Sequence, residues 1–198
     1  MNKPKTIVSI FHAFHMALAL AIGGAALAAD APKMPPTVGV LGHTLQLNGA
    51  GLRTATVLRV KVYEAGLYLP HRSSNAEQIL NSNEPKVVRL TFLRDVSSKQ
   101  VQEAWRDDFK KNCAPNCATL QPIFDQLVSK MPEAKNGDVF VYVFTPKGIN
   151  VIRNGKEVDR ANNPQLAKAI LSFWLGKEPP STELKQAMLG VMPNEDIS

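Results

Sequence analysis

Val139–Val158 does more than any other stretch to limit what this chain can become. Val139-Phe-Val-Tyr-Val-Phe144 is apolar on both faces, the pattern of a strand in the middle of a sheet. Thr145-Pro-Lys-Gly148 reverses it, and Ile149–Arg153 runs back. Asn154-Gly155 then supplies two residues that tolerate positive φ in a two-residue hairpin before Lys156-Glu-Val158. Strands joined so tightly can pair only antiparallel, because a parallel neighbour needs a crossover of a dozen residues or more. The segment therefore predicts a three-strand meander.

The rest of the chain repeats the theme. Thr37–Leu41, a turn at Gly42-His43 and Thr44–Leu47 read as a hairpin, with His43 a turn residue of no chemical role. Thr54–Leu69 is rich in β-branched and aromatic residues and reads as strands, with Leu58, Val60 and Val62 on one face and Arg59, Lys61 and Tyr63 on the other. Ser73 or Ser74 caps a short helix to Leu80, and Val87–Leu93 is a further strand. Ser97-Ser-Lys-Gln100 is a capping box, opening a helix whose apolar stripe carries Val101, Ala104, Trp105 and Phe109. Asp108 lies on that stripe, either at its wet edge or paired inside. Leu120, Ile123, Phe124, Leu127, Val128 and Met131 mark a second helix. Asn163-Pro164 starts a third through Phe173 and Trp174, and Ser181 opens a last one ending at Gly190. Strands, helices, strands, helices, with no βαβ rhythm, predict one α+β domain: a mainly antiparallel sheet with helices packed on one side.

The first residues fall outside that plan. Lys3 and Lys5 precede the apolar run Ile7–Ala28, which closes on the small residues Ala26-Leu-Ala28. This is the layout of a cleaved export signal over residues 1–28, followed by a flexible proline-containing lead over 29–36 and the domain over 37–198. A periplasmic or secreted location follows. Losing Lys3 and Lys5 takes the formal charge from +6 to +4. The remaining basic residues are scattered, so no nucleic-acid partner is expected. Beyond the signal no apolar stretch reaches the roughly 18 residues of a membrane span. In an oxidising compartment Cys113 and Cys117, five residues inclusive, form a disulfide at a helix end. No metal or other cofactor is expected, since the histidines left after cleavage, His43 and His71, stand far from the cysteines and from each other.

One basic residue is out of place. Leu45-Gln-Leu-Asn-Gly-Ala-Gly-Leu-Arg53 runs from an apolar strand into a bend marked by Gly49 and Gly51, and delivers Arg53 into apolar surroundings. An arginine there must pair with a protein carboxylate such as Asp108, hold a ligand, or turn outward; its planar fork suits a carboxylate. No phosphate loop, GxSxG elbow or HExxH helix occurs, and adjacent Asp107-Asp108 diverge by about 100° on a helix, a poor acid–base pair.

Asn48-Gly-Ala-Gly-Leu-Arg53, Lys61-Val-Tyr-Glu-Ala-Gly-Leu-Tyr68 and Leu171-Ser-Phe-Trp-Leu-Gly176 together resemble the chalcone isomerase family, in its bacterial exported branch, from Thr37 to Leu189. The resemblance implies a ligand cleft between sheet and helices. Arg53 matches the family's catalytic arginine. The family's threonine on the next strand falls on Tyr63, its helical tyrosine and asparagine on Val101 and Asp108, and its late threonine on Phe173. With four of five positions replaced, the implied role is that of the fold's non-catalytic fatty-acid binders, in which arginine and tyrosine hold the carboxylate. The expected site is thus Arg53, Tyr63, Val101, Asp108 and Phe173, and the expected partner a small apolar carboxylate. An isomerase with altered residues, and a domain that serves a protein partner, are the competing roles. Ten positions separate Arg53 from Tyr63, about 33 Å along one strand, so the chain must reverse between them.

Overall fold

Turn chemistry is carried through to a sheet in which every strand pairs with its neighbour in the chain. The structure is a computed structural model describing residues 34–55 and 58–191; the expected signal, residues 1–28, lies outside the described residues. Among the described residues seven strands form one wholly antiparallel sheet in sequence order: β1 (Thr37–Val40), β2 (His43–Ala55), β3 (Val60–Leu69), β4 (Lys86–Phe92), β5 (Val139–Thr145), β6 (Gly148–Arg153) and β7 (Lys156–Ala161). The helices are α1 (Ala76–Asn81), α2 (Ser98–Asn112), α3 (Cys117–Ser129), α4 (Pro164–Leu175) and α5 (Thr182–Met188). The expected meander is β5–β7, and Asn154 (φ 50°) and Gly155 (φ 78°) adopt the positive φ that their hairpin needs.

The helices cover one sheet face. Leu67, Leu90, Phe140 and Val151 from the strands meet Phe109, Phe124, Leu127, Ile170 and Phe173 from the helices in one buried cluster. α4 is buried nearly all round, from Leu166 to Leu175, as befits a central helix. The opposite face holds a smaller cluster of Leu45, Tyr68, Val87 and Val143. Part of the proline-containing lead is fastened there: the Tyr68 hydroxyl donates to Pro35 O at 3.0 Å, and Leu47 N to Pro36 O at 2.9 Å. Residues 29–33 of that lead lie outside the described residues.

Three local expectations are corrected. First, Gly49 and Gly51 do not bend the chain; both lie inside the continuous strand β2. What they provide is room. A Cβ on Gly49 would fall on Ala187 O and come within 2.8 Å of Met188 O, and one on Gly51 would stand 2.7 Å from Ala187 Cβ. α5 therefore rests directly on the β2 backbone. Second, Leu58 and Arg59 lie outside the strands and so share no sheet face with Val60–Tyr63. The chain reverses between Ala55 and Val60, where Leu58 is 82% exposed and Arg59 takes φ 50°. Tyr63 consequently faces the helices with Ala65, Leu67 and Leu69. Third, α1 is capped by Asn75, whose side chain accepts from Gln78 N, and not by Ser73 or Ser74. Ser73 N instead donates to the Asn48 side chain at 2.8 Å.

Two β-bulges between β2 and β3 complete the frame, beside a third between β6 and β7. The pairing steps from Leu47–Tyr68 to Gly49–Leu67, leaving Asn48 as an extra residue on β2. Bulges re-aim a side chain. Here the Asn48 amide donates to Met188 O at 2.9 Å and Ser73 O at 3.0 Å, tying β2 to α5 and to the segment before α1. The second step, from Arg53–Tyr63 to Thr54–Lys61, leaves Val62 extra on β3. At the other end of the core, the disulfide Cys113–Cys117 joins the end of α2 to the start of α3, with the Cα atoms 4.8 Å apart. The capping box at Ser97 forms with both of its bonds, which fixes where α2 begins over the sheet.

Candidate functional site

The reversal at Ala55–Val60 brings Arg53 and Tyr63 directly opposite each other on β2 and β3. Directly paired residues of an antiparallel ladder point to the same face, with Cβ atoms about 4.5–5.5 Å apart. Ten residues of sequence thus become one cross-strand pair. Beside it, the Val62 bulge lets Val62 and Tyr63 both line a cavity between the sheet and α2.

That cavity has a volume of about 90 Å³. Phe92 and Leu90 of β4 floor it, Val101 and Asp108 of α2 wall it, and Phe173 and Trp174 of α4 close it. Four of the five residues read from the sequence therefore converge on one space: Tyr63, Val101, Asp108 and Phe173. Arg53 stands at its margin. Its charge acts on both Tyr63 and Asp108. Among the described residues no carboxylate comes within 4.0 Å of its guanidinium, which is bonded to the carbonyl of neighbouring Thr54. The alternative of an Arg53–Asp108 ion pair is thus not realised.

Burial sets the chemistry of each polar group. Tyr63 is partly buried, and burial pushes its pKa up to about 12, against smaller lowering by the Trp174 hydrogen bond and by Arg53. It is a neutral hydroxyl at any physiological pH. Trp174 Nε1 donates to Tyr63 Oη at 3.3 Å. Because the indole can only donate, the phenol oxygen is the acceptor, and the Tyr63 proton remains free to be given to something else. Asp108 is half-buried, and burial raises its pKa to about 6, with Lys111 and Arg53 opposing and Asp107 adding to the rise. Among the described residues its side-chain oxygens accept no hydrogen bond.

Three contributors were not legible as site residues. Trp174 was seen only as part of a helix stripe and of the motif Leu171–Gly176. Trp105 packs against Tyr142 and Phe173, with ring centroids 5.5 and 5.6 Å away. Tyr142 sits in a strand apolar on both faces, where alternation says nothing about which side chain meets a cavity. It is 1% exposed, lines the cavity, and its hydroxyl finds no partner among the described residues. The arrangement offers a cation, two hydroxyl donors and an unpaired carboxylate around an apolar space. Larger hollows exist, one of about 420 Å³ beside Lys130 and Arg153, but that one is lined mainly by charged and polar side chains.

A family model described as chalcone isomerase-like matches residues 26–190 of this chain. No curated protein matches the sequence. Among solved structures 38 chains match. One is the crystal structure of a fatty-acid binding protein of Arabidopsis thaliana, 17% identical, superposing with a TM-score of 0.64 over 79% of this chain and 90% of that one. At that identity the likeness is one of fold. No helix among the described residues is long and apolar enough to cross a membrane.

Proposed function

The chain belongs to the chalcone isomerase-like family, and we propose that within it this protein is an exported, non-catalytic binder of an apolar ligand with a carboxyl head group. The observation that carries the proposal is the in-register pair Arg53–Tyr63 at the margin of the aromatic cavity. A guanidinium with no carboxylate partner and a phenol with a free proton are complementary to a carboxylate, the first through charge-assisted bonds and the second through a neutral one. The fatty-acid binding protein of similar fold supports the ligand class. Val101 and Phe173, apolar where the isomerases of the family carry hydroxyls, support the loss of that reaction. Export rests on the sequence of residues 1–28 alone.

The cavity, about 90 Å³, has the volume of roughly three waters. It admits a head group, whereas pockets for whole ligands run to roughly 300–1,000 Å³. An alkyl chain must therefore enter by parting α2 from the sheet, and binding should be accompanied by changed amide exchange in α2.

Two measurements test this reading. Mass spectrometry of the native protein should find a stoichiometric carboxylated lipid and a mature amino terminus at Ala29 or Asp30. Arg53→Ala should weaken fatty-acid binding by roughly 1.5–3 kcal/mol and Tyr63→Phe by about 1 kcal/mol, with both variants still folded. Unchanged affinity in Arg53→Ala would remove the carboxyl clamp.

A further inference from the structure

The family's helical asparagine is replaced here by Asp108, an acid set against the space where a ligand acid would lie. We infer that Asp108 determines the form in which that ligand is held: a carboxyl head group binds beside it as an acid–carboxylate pair that shares one proton. The inference deepens the carboxyl-binding reading and rests on it.

Geometry carries the argument. Asp108 and Tyr63 line the same cavity, whose volume is about 90 Å³. A carboxyl group filling so small a space lies against both. The Asp108 oxygens are unbonded among the described residues, so they face the head group with free lone pairs. An anion facing an anion in a partly dry site is unstable unless a proton comes between them, and two such carboxylates titrate as one pair. The charges acting on Asp108 are few. Lys111 and Asp107 come from its own helix and Arg53 from β2; α3 and α4 add none among the described residues. The nearby hydroxyls are Tyr63 of β3 and Tyr142 of β5, both neutral. Lys111 is opposed by Asp107 on the same helix, and the Arg53 guanidinium balances one negative charge, which leaves the second to be neutralised by a proton. The raised pKa of the empty site, about 6, points the same way.

The proton balance follows directly. Well above pH 6 free Asp108 and free ligand are both ionised, and the complex holds one proton drawn from solvent. Affinity should then fall roughly tenfold for each unit of rising pH. Such a site loads in acid and unloads near neutrality. In Asp108→Asn the amide donates directly to the carboxylate, and binding needs no proton.

Isothermal titration with octanoic acid and with octanol, between pH 6.5 and 8 in buffers of different ionisation enthalpy, reads this out. For the parent protein we expect about one proton taken up per octanoate and roughly tenfold weaker binding per pH unit. Asp108→Asn should bind octanoate without proton uptake, independently of pH, and more tightly at pH 8. Octanol should be insensitive to pH in both. Tight octanoate binding that is flat with pH in the parent would overturn proton sharing while leaving the carboxyl-binding reading intact. The same pH dependence for octanol would overturn it too, since the titration would then act through the fold. No octanoate binding by either protein at any pH would take down both readings.

Discussion

Replacing Asp108 by asparagine should stabilise the empty protein, and the gain should depend on pH in a set direction. The folded pKa, about 6, lies above the ordinary 3.8 because burial penalises the charged carboxylate. The folded state therefore holds the proton more tightly than the unfolded one. Stability is greatest below about pH 4, falls between about pH 4 and 6, and stays low above that range. A displacement from 3.8 to about 6 corresponds to roughly 3 kcal/mol. The side chain is only half-buried, and solvent screening reduces the figure to about 1–2 kcal/mol. Asparagine carries no charge and should recover that amount at pH 7.5 but little at pH 4. At roughly 2–4 °C per kcal/mol for a domain of this size, the gain should be visible in a melting curve. Urea melts of both proteins across this range give the stability difference at each pH, and titrations common to both cancel. A flat difference, or a loss of several kcal/mol at pH 7.5, would refute the reasoning. The loss is what breaking a buried ion pair with Arg53 would produce.

Gly49→Ala should cost about 3–5 kcal/mol, because its Cβ meets the Ala187, Met188 and Gly190 backbone and must lift Leu184 and Met188 from the core. Gly51→Ala should cost less, its nearest neighbours being the side chains of Ala187 and Leu184. Urea unfolding of the two variants checks the order, and equal losses would show that α5 adapts as a rigid unit. Cys113→Ala with Cys117→Ala should lose about 2 kcal/mol, the loop-entropy value for five residues, read as the difference in unfolding free energy from the oxidised parent.

Much of the fold was written locally. The Asn154-Gly155 hairpin, the capping box at Ser97, the helix stripes and the cysteine pair each announce themselves within a few residues, and the structure has them where the sequence puts them. The reversal after Ala55 was hidden because its left-handed residue is Arg59, with no glycine or proline to advertise it. Gly49 and Gly51 gave a true signal of close approach, yet the approaching element is α5, and no local pattern names a partner that far along the chain. Four cavity residues were found through resemblance, but the Trp174–Tyr63 hydrogen bond and the unpartnered Tyr142 hydroxyl depend on how α4 and β5 cross, which periodicity does not specify.

The Asn48–Met188 bond spans 140 residues, and it fixes the order in which the molecule can be finished. Each strand has its ladder partner as soon as the next one is made, so the sheet can zip up from its first hairpin while synthesis continues. The groove above Gly49 and Gly51 cannot be filled until α5 has emerged. Until then β2 presents bare backbone, and the bulged Asn48 amide has only Ser73 to hold. A nascent chain of this kind is left with its second strand unroofed until α5 is made. α5 is the latch that ends that exposure, and a truncation that removes it would leave β2 open for good.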